Sequence, residues 1–347
     1  MVLGLNFIKE NVSYFGLDVG TSAVRLVKLK KSFGGKYELE AFGSMDIPEG
    51  LSLSDSEIDK KQMSEIVKKL VNSVKPGTQN VVVSLPGNSI FTTVVTLPKM
   101  PVQEIESTIR YQAEQNIPLK LSEVRLDWQV IGQSADRANV SVMIIAAPLA
   151  RVKKVVDILE NAGLDVNAVE VDAISSARAL MSGDPLFMVI NMGKYLTELT
   201  VVKNNIVNHT RTIPIGGQVM TRAIAQGLGV DETQAEQLKR KFGIEKGNME
   251  GKIYSAVSPV LNDLKEEIDR SMKYYFDKFG DSIKLIKLSG GASRTLGIQP
   301  FLSAELGVNI VYGNPWALVT YKNDVMNQLS QNAQEFDVAV GLAMRGI

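Results

Sequence analysis

The chain has 347 residues, 45% of them hydrophobic, and 38 Lys+Arg balance 38 Asp+Glu. It is long and apolar enough for two or more folded units, and no global charge draws it to nucleic acid or to an anionic membrane. The absence of cysteine excludes disulfides, thiol nucleophiles and Cys-type zinc sites and fits a reducing compartment, and the single histidine, His209, leaves no basis for a multi-histidine metal site or a His-based triad. Any chemistry has to rest on carboxylates, backbone amides and a bound ion.

The opening "MVLGLNFIKENVS" lacks the basic n-region, long h-region and small-residue cleavage site of a signal peptide. The longest apolar stretches, such as "SVMIIAAPLA", fall far short of the ~20 residues a spanning helix needs. A cytoplasmic protein without direct membrane insertion is expected. "YFGLDVGTSAVRLVKLKK" and "GKYELEAFGSMDI" read as strands turning at Gly20 and at Gly34-Gly35, an antiparallel meander. "DSEIDKKQMSEIVKKLVNSV" places Ile58, Met63, Ile66, Val67 and Leu70 at helical spacing, and "NVVVSLP" reads as a buried strand entering the same sheet.

From Pro86 to about Gly163 the pattern is strand, helix, strand, strand, helix, with Pro98, Pro101 and Pro118 at its boundaries, and it reads as an inserted small domain. "LDVNAVEVDAISSARAL" is then a strand feeding a helix. At 187 the opening returns in altered form: "FMVINMGKYLTELTVV" lays Asn191 on Asp18, Gly193 on Gly20 and Leu199 on Leu26, and "NNIVNHTRTIPI" continues the repeated meander. Three helical stretches follow, "GGQVMTRAIAQGL", "DETQAEQLKRKFG" and "KIYSAVSPVLNDLKEEIDRSMKYYFDKF". After them come the strand and double glycine of "IKLIKLSGGAS", a helix, a strand, and the terminal helix "EFDVAVGLAMRGI".

A lone Asp-x-Gly-Thr is usually an ordinary turn. Two such turns related by a repeat, plus "SGGAS" between a strand and a helix, are what a phosphate clamp between two lobes requires. Tight glycine turns line up backbone N–H groups as anion cradles, and small side chains allow close approach. Mg²⁺ needs only one or two carboxylates, and Asp18 is the natural one.

The ordered set "FGLDVGTSAVRLVKL", "FMVINMGKYLTEL", "IPIGGQVMTRAIAQGLG", "TQAEQLKRKFG" and "IKLSGGASRTLGIQPFLSAELG" resembles the actin-like ATPase superfamily. Within it, "VVVSLPGNSIFTTVVTLPKM", "IRYQAEQNIPLKLSEVRLDWQVIG", "VEVDAISSARAL" and "VAVGLAMR" resemble the PilM family of type IV pilus assembly proteins, relatives of the division protein FtsA. The resemblance implies an α/β, actin-like (ribonuclease H-like) two-lobed ATPase fold with an inserted small α+β subdomain. Residues 1–85 would form first-lobe subdomain 1A, completed by 164–185 and 315–347, and 86–163 the inserted 1C. Residues 186–225 would form 2A, completed by 282–314, and 226–281 would form 2B.

The resemblance also assigns roles. Asp18, Gly20, Thr21 and Ser22 would make the first phosphate loop, with Arg25 reaching a phosphate. Gly193, Lys194 and Thr197 would make the second loop, and Gly216 and Gly217 would approach from the second lobe. Glu236 and Lys239, on one helix face, would contact ribose and adenine, and Gly290, Gly291, Ala292 and Ser293 would cover adenine and the α-phosphate. ATP and Mg²⁺ are the implied cofactors, with Asp18 holding the metal through water. Asp172 would orient the attacking water. Asn191 stands where relatives carry Asp; it brings no charge, so metal affinity and hydrolysis stay open.

The implied partner is the N-terminal cytoplasmic peptide of a PilN-like membrane protein, held in a groove between 1A and 1C, with pilus motor ATPases further along and no nucleic acid. Trp128 and Tyr111 lie in the right module, where aromatics usually belong to the core. Two other readings share the fold, a small-molecule kinase and an FtsA-like division protein. A kinase needs a base beside the acceptor hydroxyl, and no distinct acidic motif beyond Asp172 offers one. An FtsA-type protein ends in a linker and an amphipathic membrane helix, whereas this sequence stops after a core-like helix.

Overall fold

The computed structural model describes residues 5–6, 12–133 and 138–346, so the reading of the N-terminal stretch as lacking a signal peptide lies largely outside the described residues. The first sheet starts with β1 (Leu5–Asn6), β2 (Phe15–Val19), β3 (Ala23–Lys31) and β4 (Tyr37–Asp46). α1 (Glu57–Val74) follows, its first turn capped where the Ser56 hydroxyl accepts the Asp59 N–H, and then β5 (Asn80–Leu85). Met63, Val67 and Leu70 of α1 face the core as their spacing predicts, whereas Ile58, in the first turn, is 80% exposed.

The insert comprises β6 (Phe91–Pro98), α2 (Val102–Asn116), β7 (Val124–Gln133), β8 (Asn139–Pro148) and α3 (Leu149–Asn161). The chain returns to the first lobe with β9 (Asp165–Val171) and α4 (Asp172–Leu180). The second lobe contains β10 (Leu186–Met192), β11 (Thr197–Lys203), β12 (Ile206–Ile213), α5 (Gly217–Leu228), α6 (Glu232–Phe242) and α7 (Lys252–Phe279). β13 (Leu285–Ser289), α8 (Ile298–Leu306) and β14 (Asn309–Tyr312) complete it. β15 (Val319–Thr320), α9 (Met326–Gln331) and α10 (Asp337–Ala343) return to the first lobe.

The first sheet has the order β1-β9-β5-β2-β3-β4-β15, the second β12-β11-β10-β13-β14 and the insert β6-β8-β7. β5 is flanked by parallel β2 and β9, which is why "NVVVSL" is apolar almost throughout. The repeat seen in the sequence is structural: β2-β3-β4 and β10-β11-β12 are both antiparallel meanders, with Asp18 paired to Arg25 in one and Asn191 to Glu198 in the other.

Packing distributes the helices among the cores. The insert's own core joins β6, α2, β7 and β8 through Leu97, Ile109, Val124, Val142 and Ile144. α3 instead buries Val152, Ile158 and Leu159 in the core that holds Phe15, Leu17 and Met63, so it packs on the first lobe. Likewise α5, α6 and α7 share one continuous core with the second sheet, through Met188, Met220, Ala235 and Leu261, and the stretch 226–281 has no separate core. The insert also touches the second lobe. Asn208 Nδ2 donates to the Ile131 carbonyl at 2.9 Å, the Thr92 and Thr210 hydroxyls are 3.0 Å apart, and Lys278 Nζ donates to the Val94 carbonyl at 3.1 Å.

Candidate functional site

The first turn closes with Gly20 N–H donating to the Ala23 carbonyl (3.1 Å) and Ile47 N–H to the Ser22 carbonyl (2.9 Å), leaving Thr21 half-buried and Ser22 exposed at its tip. Asp18, at the end of β2, accepts from Ser84 Oγ at 3.1 Å and lies 3.6 Å from Arg25 Nη1. Burial pushes its carboxyl up to about 6; Arg25 works against that rise and Asp337 adds to it. Arg25 is only 8% exposed, so it is not the surface arginine that a strand position suggests. Its Nη2 meets Glu335 Oε2 at 2.6 Å, and its buried Nε has no hydrogen-bond partner among the described residues.

In the second turn Gly193 N–H donates to the Leu196 carbonyl (2.8 Å), while the Gly193 and Lys194 carbonyls accept from Gly217 and Gln218 N–H (3.0 and 2.8 Å). A Cβ on Gly216 would fall 2.6 Å from the Lys194 carbonyl oxygen, so this crossing of chains demands glycine. Lys194 Nζ reaches across the cleft to Glu49 Oε1 (3.1 Å), which also accepts from the Tyr195 hydroxyl (3.1 Å). Thr197, expected to offer a hydroxyl to the second loop, is fully buried and donates to the Ile215 carbonyl at 2.6 Å; it braces the turn from behind.

The third turn is set by Gly290 at φ 80°, where a Cβ would lie 2.4 Å from Asn191 Oδ1 and 2.5 Å from the Met192 carbonyl. Gly290 N–H donates to the Gln334 carbonyl (2.6 Å). Buried Ser293 closes the turn on itself, its hydroxyl donating to the Gly290 carbonyl at 2.7 Å. Gly291 lies beside the Glu335 carboxyl, and Ala292 beside Gly217. Gly193 is bonded to Gly217, Gly290 abuts Asn191 and Gly291 abuts the Glu335 that holds Arg25, so the third glycine turn links the second to the first.

Glu236 and Lys239 do share a face of α6, but as an inward pair. The Lys239 ammonium, 6% exposed, bonds the Gly217 carbonyl (2.8 Å), Thr221 Oγ1 (2.7 Å) and Glu236 Oε2 (2.6 Å). Burial lowers its pKa. Burial also tends to raise Glu236, yet its bonds to Lys239, Thr221 and Arg240 win and hold it below the usual range.

Asp172 is the first residue of α4. Its carboxylate accepts from Ala173 N–H at 2.8 Å, from Gly87 N–H, and from the protonated carboxyl of Glu198. Desolvation is the main cause of the upward shift in both: Asp172 rises to about 7, and Glu198 goes well above its ordinary value, helped by the charge of Asp172. Asn191 Nδ2 donates to Asp337 Oδ2 at 3.1 Å, an oxygen also bonded by Ser176 Oγ. Buried Asp337 is raised too, so the neutral amide at 191 supplies a donor where a second carboxylate would meet a like charge.

These raised acids carry a pH prediction. In the folded protein Asp172 holds its proton to about pH 7, well above the carboxylate's unfolded value, so the native state binds more protons between the two. Its effect on stability is absent below about pH 4 and grows into a penalty as pH rises through 7. Asp172→Asn keeps an acceptor oxygen for backbone N–H groups while removing the buried charge, and should stabilise the empty protein at pH 8 by on the order of 2 kcal/mol, with no gain near pH 4. Denaturant unfolding of both proteins at the two pH values checks this; an equal effect at both would refute it.

Residues of this cluster that the sequence did not single out are Glu198, Asp337, Glu335 and Ser84. Glu198 alone had a signal: the repeat that lays Leu199 on Leu26 lays it on Arg25.

Two lobes on a repeated meander, with glycine turns facing one another across a cleft, define the actin-like ATPase fold. Solved structures agree: EutJ from Carboxydothermus hydrogenoformans (15% identity, 99% of this chain and 93% of that one, TM-score 0.58) and MreB5 of Spiroplasma citri bound to ADP (11% identity, 94% of each chain, TM-score 0.51) share it. A PilM-PilN type IV pilus biogenesis complex matches at 29% identity over 96% of this chain and 98% of that one, with a TM-score of 0.83. The family of type IV pilus assembly protein PilM matches residues 16–347, and the chain belongs to it. FtsA is a more distant relative: the Neisseria meningitidis protein is 28% identical over 35% of this chain and 30% of its own length. The match therefore spans about a third of those curated relatives. Among the described residues no helix is long and apolar enough to cross a membrane.

Proposed function

We propose that the chain is an ATP- and Mg²⁺-binding scaffold of the type IV pilus inner-membrane assembly complex, working from the cytoplasmic face and anchored there by the N-terminal peptide of a PilN-like membrane protein. The observation that carries this reading is that the insert bonds the second lobe through Asn208, Thr210 and Lys278 while it is rooted in the first at Gly87. A nucleotide that changes the angle between the lobes therefore also acts on the junction of insert and first lobe. Two lobe angles coupled to that junction would let a nucleotide bias partner affinity.

The residues fit the nucleotide. The buried Arg25 Nε lacks an acceptor, Gly216 and Gly290 stand where any Cβ would collide, and Asp18 offers the cleft a carboxylate. Bound Mg²⁺ would supply charge neutralisation for the phosphates. Gly20, Thr21, Ser22, Gly193 and Gly217 would orient them, and Glu236 and Lys239 would frame the ribose and adenine. Asp172 is the group to hold an attacking water, but its partnership with Glu198 and the neutral Asn191 favour binding over turnover. Where α3, the element that follows the insert's sheet, packs on the first lobe, Lys154 Nζ bonds the Ser52 and Ser54 carbonyls (3.2 and 2.6 Å), and Leu53, Ile58 and Leu149 on the elements that meet there are exposed. An extended peptide with apolar side chains is the occupant that such an exposed apolar edge fits.

Calorimetric titration with Mg-ATP, and with a peptide copying the N-terminus of a PilN-like protein in the presence and absence of Mg-ATP, tests the reading. Both ligands should bind, and the peptide affinity should differ about 5-fold or more between the two conditions. Binding of ATP with rapid phosphoryl transfer to a small metabolite would favour the kinase; binding of liposomes by the isolated protein would favour the FtsA-like alternative.

A further inference from the structure

We propose that Glu335 is the empty protein's own occupant of the anion subsite at Arg25, a carboxylate that the phosphates of a nucleotide displace. The proposal rests on the nucleotide reading above and adds to it the residue that sets the affinity of the site.

Both Glu335 oxygens are engaged, and by different lobes. Oε2 meets Arg25 Nη2 from β3 at 2.6 Å, and Oε1 meets Arg294 Nη1, beyond β13, at 2.6 Å. The carboxyl lies against Gly291, with 3.8 Å between its carbon and oxygen atoms and the place of a Cβ there. The neighbouring residue completes the cover. The Gln334 carbonyl accepts from Gly290 N–H (2.6 Å) and from Ser289 Oγ (2.9 Å). One short turn thus presents two acceptors to the donors of the third glycine turn and of the first-lobe arginine, the donors a phosphate would otherwise satisfy.

Charge decides what happens next. Arg25 already faces two carboxylates, Asp18 and Glu335. Burial works against ionisation of Glu335, but Arg25 and then Arg294 overcome it and hold its carboxyl below the ordinary range, so displacement proceeds by competition of anions and not by protonation. A phosphate arriving at Arg25 would otherwise sit beside a full negative charge. Arg294, which is also bonded to Asn332 Oδ1 at 2.9 Å and is more exposed than Arg25, can keep Glu335 once it lets go of Arg25.

The test is the affinity of Glu335→Gln, with Glu335→Ala as a second variant, for Mg-ATP, Mg-ADP and adenosine, beside a thermal scan showing that each variant is folded. The variants should bind ATP and ADP about 5- to 10-fold more tightly than the parent chain, as loss of one competing charge-assisted bond predicts, and adenosine with unchanged affinity. Unchanged or weaker ATP binding overturns the proposal, and so does an equal gain for adenosine, which would mark a general loosening of the cleft. If no protein binds nucleotide, the scaffold reading fails. Inorganic tripolyphosphate then decides this one separately: tighter binding by Glu335→Gln supports it, and equal binding overturns it.

Discussion

Asp18→Ala is expected to abolish the Mg²⁺-dependent part of ATP binding, a loss of about 100-fold or ~2.7 kcal/mol, without lowering the stability of the empty protein. Mg²⁺ is held by one or two carboxylates and otherwise by water and phosphate oxygens. In this cleft Asn191 and Asp337 bond each other, and Asp172 is tied to Glu198, Gly87 and Ala173. Asp18, with one bond from Ser84 and a looser contact to Arg25, is the carboxylate least committed to the protein. The fold should not suffer, because burial penalises this carboxylate, as its pKa of about 6 records, and Arg25 retains Glu335. The check is calorimetry with Mg-ATP and with ATP in EDTA. The variant should give one weak affinity in both, whereas the parent chain should lose affinity only in EDTA. A variant that still responds to Mg²⁺ would move the metal to another carboxylate.

The expected loss should depend on pH in the parent chain. With its carboxyl near 6 in the empty state, Asp18 is mostly ionised at pH 7.5 and largely protonated at 5, so metal-dependent affinity should fall on acidification through that range.

What the sequence made legible was local. The turns at Gly20, Gly193 and Gly290 follow from residue types that only a few backbone geometries accept, and the meanders follow from apolar alternation broken at those turns. The repeat even carried the register, since Asp18 opposite Arg25 and Asn191 opposite Glu198 are the same pairing in two lobes with the charges rearranged. The hidden parts depend on distance along the chain. Glu335 lies 310 residues from Arg25 and Asp337 lies 146 from Asn191, and neither sits in a motif. Burial also reversed individual expectations. The Thr197 hydroxyl looked available in "KYLTEL" but had to satisfy a buried carbonyl, and Ile58 matched the helical stripe yet fell in a first turn that projects past the core. The packing of α3 was hidden for a similar reason: "LARVKKVVDILENAG" follows β8 directly, and only its apolar face, turned to α1, reveals which core it joins.

The cleft's acids also depend on a position with no chemistry of its own. Asp172 begins α4 and Asp337 begins α10, and the two helices cross so closely that a Cβ on Gly341 would lie 1.8 Å from the Ser175 carbonyl oxygen and 2.4 Å from its carbon. α10 cannot retreat. On its other side a Cβ on Gly16 of β2 would already lie 2.4 Å from the Ala339 carbonyl oxygen, so the helix is pressed between strand and helix with glycine at both crossings. The obstacle at Ser175 is backbone, which no rotamer change relieves. Gly341→Ala should therefore force α4 and α10 apart at a cost of about 3 kcal/mol or more, lower the melting temperature by several degrees, and strain the Arg178 bond to the Gly341 carbonyl, now 2.7 Å. Because both acids ride on these helices, the surviving folded fraction should also lose the Asn191 to Asp337 bond and with it the alignment of the second and third glycine turns. Nucleotide affinity measured below the melting temperature should fall together with stability. A variant that melts within a degree or two of the parent chain would show that the crossing has slack and that the placement of Asp172 and Asp337 does not depend on it.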